Sequence, residues 1–177
     1  MFSMDNLLRA MDLTYKVSEL LTRSWPVDDT LTKVLDYVFD TVERIDLAVV
    51  MLIDPETGAI ERSLGKRRES SRDVKPLYNW DVVAKVLKKG EPTIVNDTSR
   101  EYEGGFSEPS RFSRIRSVMG VPLFSGSDTI GVIYVESLNG PIGFQKEDAA
   151  LFTYLSRRIA SGIKESAKGV ECFNYCR

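Results

Sequence analysis

The sequence predicts an α+β domain in which helices from both ends of the chain pack on one face of an antiparallel sheet. Three observations predict it. Two apolar, β-branched runs, LAVVMLID and TIGVIYVES, each belong to a hairpin with a short link. Amphipathic helical periodicity occupies both ends of the chain. The elements follow the order helix, helix, strand, strand, helix, strand, irregular segment, strand, strand, helix, and strands joined by short links must run antiparallel.

From Met4 to Leu21, the residues Met4, Leu7, Met11, Thr14, Ser18 and Leu21 fall on one seven-residue seam, and Leu8, Leu13, Val17 and Leu20 widen it. Such a helix can pair with its own copy, and a homodimer is expected from this seam together with the last helix. Pro26, Asp28 and Asp29 open a second helix, whose apolar face is Leu31, Val34, Leu35, Val38, Val42 and Ile45 and whose end is predicted near Asp46. Leu47 to Asp54 is apolar on both alternating faces, as in a strand covered on two sides. After the Pro55-Glu56-Thr57-Gly58 turn, Ala59 to Gly65 returns as its partner. Residues Lys66 to Lys75 read as a polar loop, and Lys66, Arg67, Arg68 and Arg72 are expected to be solvated and without a role.

A short helix is predicted from Trp80 to Leu87, stopped by Lys88, Lys89 and Gly90, and PTIVND follows as a strand. Thr98 to Arg114 is the least periodic stretch and reads as a flexible wall or lid. Ser117 to Phe124, a Gly126-Ser127-Asp128 turn and Thr129 to Ser137 form the second hairpin, with Pro122 marking a bulge or strand end. Glu147 to Lys164 presents Leu151, Phe152, Leu155, Ile159 and Ile163 on one helical face, and a polar tail closes the chain. The organisation read from this is a helix over 1–23, a domain over 24–165 and a tail over 166–177.

Composition narrows the function. The chain has 177 residues, room for one core of ordinary size. Its 26 acids and 24 bases are spread along it for a net charge of −2, which gives no field to draw nucleic acid or an anionic membrane. No apolar run approaches the roughly 20 residues that cross a bilayer, and the first residues lack a signal-peptide pattern, so the cytoplasm is the expected compartment. Histidine is absent, which removes the usual general base and the usual zinc and haem ligand. Both cysteines, Cys172 and Cys176, lie in the last six residues, where a bridge would constrain almost nothing. Most common hydrolase mechanisms are therefore hard to write, and an enzyme is not expected.

Five segments, namely the strand ending in Asp54-Pro55, VVAKVLKKGEPTIVND, SVMGVPLF, IGVIYVES and FQKEDAALFTYLSRRIASGI, resemble the GAF domain family in order and spacing over about residues 24–165. The resemblance implies a PAS-like antiparallel sheet of five or six strands, with the terminal helices on one face and a small-molecule pocket or docking surface on the other. It leaves the ligand, and any cofactor, unknown. Bilin-binding members use a cysteine and histidine, haem-binding members an axial histidine, and free methionine sulfoxide reductases cysteines inside the domain; this sequence meets none of these requirements. The cyclic-nucleotide motif is incomplete: Asn139, Phe144 and Asp148 match, but Gly140 stands for the lysine and Ala149 for the final glutamate. Asp148 thus loses the motif's lysine partner, which leaves it to charge the start of the last helix.

The resemblance also directs Val49 and Met51, with Ile53, to the pocket. Alternation groups Val132, Tyr134 and Glu136 on one face, where the phenol and the carboxylate could orient a hydrogen-bonding ring; equally, Tyr134 could be a core aromatic and Glu136 a solvated strand end. Val82 and Val83 start the short helix, whose N–H groups the family brings toward the ligand, and Trp80 could stack on a ring or simply pack. Arg111, with Arg114 and Arg116, could pair with an anion or lie on the surface, and Phe112 and Ile115 could line a wall. The function expected is signal input: a small molecule or protein partner is bound and an effector regulated through the terminal helices. The alternatives are a cyclic-nucleotide-binding domain and a ligand-free interaction or dimerisation module.

Overall fold

The computed structural model describes residues 4–23, 25–54, 56–68, 78–96, 115–138 and 142–174, with the helix backbone alone at 4–6 and 164–174. Helix α1 (Met4–Leu21) leads into α2 (Val27–Thr41), followed by the hairpin of β1 (Leu47–Ile53) and β2 (Ile60–Arg67). Helix α3 (Trp80–Lys89) precedes β3 (Thr93–Asn96), the hairpin β4 (Ser117–Ser125) and β5 (Asp128–Ser137) comes next, and α4 (Lys146–Asn174) is last. The five strands form one antiparallel sheet in the order β2-β1-β5-β4-β3.

Strand β5 sits at the centre, paired on one side with β1 in the register Val49↔Tyr134 and Met51↔Val132, and on the other with β4. The ladder of β4 with β5 shifts between Leu123 and Phe124, one residue beyond Pro122, and the strand continues to Ser125. Gly131 allows β5 to lie this close to β1, because a Cβ there would stand 2.1 Å from the Met51 carbonyl oxygen.

The sheet is buried on both faces, which explains the continuous apolar pattern of β1. Ala48, Val50, Met119, Val121, Ile133 and Val135 face α1, α2 and α4 and share a core with Leu13, Val17, Leu31, Val38, Phe152 and Leu155. Leu47, Val49, Met51, Val118, Val132 and Tyr134 point the other way and pack under α3 with Val82, Val83 and Val86. The split follows the strand period of two.

Three boundaries differ from expectation, each for a visible reason. Helix α2 stops at Thr41 although Ile45 continues the apolar period and is fully buried. Its last carbonyls are taken by Arg68, whose Nη2 donates to Phe39 O and Val42 O at 3.1 Å each and whose Nε donates to Ile45 O at 2.9 Å. A guanidinium closing the end of a helix is a favourable cap, so Arg68 has a structural role that the loop reading missed. Lys66 and Arg67 likewise belong to β2, and Lys66 pairs with Asp36 of α2. Helix α4 runs to Asn174, ten residues past Lys164, so most of the expected tail is helical. The stretch KESAKGVE contains good helix formers and no proline, and one glycine does not stop it.

Candidate ligand-binding site

The polar groups of the α3 face converge at the open end of β5. Tyr134 is fully buried and Glu136 is 1% exposed. The Tyr134 hydroxyl donates to Glu136 Oε1 at 2.6 Å and accepts from the Asn79 backbone N–H at 3.2 Å. A short O–H···O bond of this kind satisfies both groups, and it lets a phenol and a carboxyl group sit inside an apolar layer. Glu136 is therefore no solvated strand end, and the reading of Tyr134 and Glu136 as side chains of one face holds in the geometry.

Asn79 places α3 above this pair. Its side-chain oxygen accepts from Asp81 N at 2.9 Å and from Val82 N at 3.4 Å, an N-cap that uses two of the helix's unpaired donors. The N-terminus of α3 thus answers to its own cap at those two groups, where the resemblance directs them to a ligand. Gly120 of β4, paired with Tyr134, lets α3 descend onto the sheet, since a Cβ would meet Val86 Cγ2 at 2.8 Å and Val82 Cγ1 at 3.3 Å. At the other end Gly90 adopts φ 65° and closes α3 with its N–H on Val86 O.

Tyr78 completes an aromatic edge. Its ring lies 6.3 Å from that of Tyr134 at 63° and 6.5 Å from that of Trp80 at 48°. Burial raises the Tyr78 phenol above its ordinary pKa. Trp80 is half exposed at the rim, Ile115 is buried, and Val49, Met51, Val82 and Val83 are fully buried between α3 and the sheet. Ile53 joins neither cluster, and Leu47 takes the third place beside Val49 and Met51. Arg111, Phe112 and Arg114 lie outside the described residues. Sequence reasoning missed Tyr78 and Asn79, although an asparagine directly before the helix is an N-cap signal.

On the opposite side of the sheet, Asp148 has found a partner from elsewhere. Arg44 pairs with its Oδ1, Gln145 N donates to its Oδ2 at 2.7 Å, and the Arg44 guanidinium stands 5.8 Å from the centre of the buried Phe144 ring. Asp148 therefore both charges the first turn of α4 and closes an ion pair, with an arginine from before β1 as its partner.

With this geometry in hand, the sequence matches the GAF domain family over residues 26–164. The chain belongs to that family of sensory and regulatory domains. A comparison with the curated proteins finds no match. Among solved structures, the fold is similar to free methionine-R-sulfoxide reductase from Neisseria meningitidis in complex with its substrate, with TM-score 0.73 and 16% identity over 96% of each chain. It is also similar to the GAF domain of a phosphoenolpyruvate-protein phosphotransferase from Coxiella burnetii, with TM-score 0.69 and 13% identity over 95% of this chain and 99% of that one. The GAF domain of A. aeolicus nlh2 in an inactive state gives TM-score 0.66 and 15% identity over 90% of this chain and 98% of that one. At these identities the likeness concerns the fold. Among the described residues, no helix is long and apolar enough to cross a membrane.

Proposed function

We propose that this GAF domain is a cytoplasmic signal-input module, not a catalyst, whose α3 face takes a small molecule or a protein partner and whose terminal helices pass the change to an effector. The observation that carries the reading is the buried Tyr134–Glu136 pair, 2.6 Å apart in an otherwise apolar layer and held under α3 by the Asn79 N–H. Hydrogen-bonding groups in an apolar setting are what orient a ligand in a regulatory pocket. The chain has no histidine, and its two cysteines are Cys172, near the end of α4, and Cys176 beyond it; this supports a non-catalytic role even though the similar Neisseria meningitidis protein is a reductase.

Thermal shift across a panel of nucleotides and metabolites tests the reading. One compound is expected to raise the melting temperature of the wild-type chain and to lose that effect on Glu136→Gln. A flat panel overturns ligand sensing and favours the second reading, a docking module without a ligand. That alternative draws on the complete burial of Met51 and Tyr134 under the valines of α3. In either case the partner on the helix side is a second copy: Leu7, Leu8, Met11 and Tyr15 are exposed on α1, while Leu13, Val17 and Leu20 face the core. Part of the expected seam is already used, since Leu21 packs where a Cβ on Gly162 of α4 would stand.

A further inference from the structure

One turn of the chain touches the end of β5, both terminal helices and the residue that follows β2. Residues 42–46, between α2 and β1, meet the end of β5 through Asp46, whose N–H donates to Glu136 O at 2.9 Å and whose Oδ2 accepts from Leu138 N at 2.7 Å. The same turn meets α4 through the Arg44–Asp148 pair and α1 through Glu43, which accepts from Arg9 Nη1 at 3.0 Å. Arg68, one residue past β2, holds it from a fourth side by its side-chain bonds to Val42 O and Ile45 O and by its own N–H, which donates to Asp46 O at 2.9 Å, while its bond to Phe39 O ties the turn to α2. The Arg68 guanidinium also lies 5.1 Å from the centre of the Phe39 ring.

These contacts make the turn a stiff unit with ionic arms. Within the turn Ile45 N donates to Val42 O at 3.2 Å, and the Arg68 bonds to Val42 O, Ile45 O and Asp46 O tie its residues together. The arms are the weaker links: the Arg9–Glu43 pair is exposed, and the Arg44–Asp148 pair is only partly buried. A groove of about 250 Å³ lies between α1, the turn and α4, lined by Ala10, Val42 and Leu151 as well as by these charges.

We propose that the 42–46 turn is the joint that carries a displacement of the Glu136–Leu138 end of β5 to both terminal helices. The proposal deepens the signal-input reading by naming how the α3 face is coupled to α1 and α4, and it rests on that reading for its purpose. A rival route exists through the apolar packing of α4 on β4, and that route does not need the ionic arms. Coupling is established only when an element is shown to respond to both ends, so the test must cut the joint.

Amide hydrogen exchange of the full chain provides it, without any ligand. Glu136→Gln is expected to speed exchange several-fold in β5, in the first turns of α4 and in the N-terminal half of α1. In a Glu43→Ala/Arg44→Met background the same substitution is expected to speed exchange in β5 while adding nothing at the two helices. Asp46→Asn, a milder cut that weakens the hold on Leu138, is expected to act like that background if the double variant folds poorly, and Tyr134→Phe replaces Glu136→Gln in the same case. Helices that do not respond to either β5 substitution, or that respond equally with the joint cut, overturn the proposal. A flat ligand panel leaves this experiment untouched, so the two ideas fail separately.

Discussion

Tyr134 shows how one hydroxyl can hold two elements. It donates a hydrogen bond to Glu136 and accepts one from the backbone N–H of Asn79, so Tyr134→Phe takes a donor from a buried carboxyl group and an acceptor from a buried N–H. The expected cost is about 1–3 kcal/mol, read as a lower denaturant midpoint with an unchanged slope. Asp54 offers a pH-dependent counterpart at the surface. Its carboxylate accepts from Glu56 N at 2.8 Å and from the Thr57 hydroxyl at 2.9 Å, and these bonds hold its pKa below the ordinary value. A depressed folded pKa contributes stability above the unfolded value that disappears as the pH falls, so Asp54→Ala is expected to be slightly less stable than wild type at pH 7. The gap should narrow below about pH 4 in acid titrations. At this scale the sequence revealed the face that Tyr134 and Glu136 share, because alternation is geometric. It did not reveal the burial of Glu136, which depends on Asn79 arriving from another element.

Among the elements, α3 depends most on what lies beneath it. Its ends were legible, with Lys88, Lys89 and Gly90 as a stop, and it begins at Trp80 as predicted. Its closeness to the sheet was not, because Gly120 lies thirty residues beyond Gly90 and reads as an ordinary strand glycine. Gly120→Ala is expected to push Val86 and Val82 outward, lower stability by about 1–3 kcal/mol and shift the fluorescence of Trp80 as α3 lifts. Unchanged emission at reduced stability would place the accommodation in β4 instead. Helix α2 carries the complementary lesson. Its apolar period ran on to Ile45, yet the chain leaves the helix after Thr41 because Arg68, from a segment read as a solvated loop, satisfies the carbonyls there.

For the molecule as a whole, order and pattern sufficed for the antiparallel sheet, its hairpins and the helices at both ends, since each is written in local periodicity. Pairings between distant charges were not readable: Arg44 reaches Asp148 across 104 positions, and Arg9 reaches Glu43 across 34. The exposed stripe on α1 is a property of the same scale. Its flanking charges are already paired within the chain, Asp12 with Lys16, Glu19 with Arg23 and Arg9 with Glu43, so two copies can meet without like-charge repulsion. Light scattering at tens of micromolar is expected to give a dimer for the wild type and a monomer for Leu8→Glu/Met11→Glu; a wild-type monomer at that concentration would refute the pairing.

The position of β5 also bears on how the protein is made. Strand β1 is synthesised well before β5, and its inner edge is paired by residues that follow about eighty positions later, so its apolar LAVVMLI ladder stays half open while those intervening residues are made. Until β5 slots between β1 and β4, the growing polypeptide is two unjoined pieces with sticky borders, and that interval is when chaperones and aggregation compete for it.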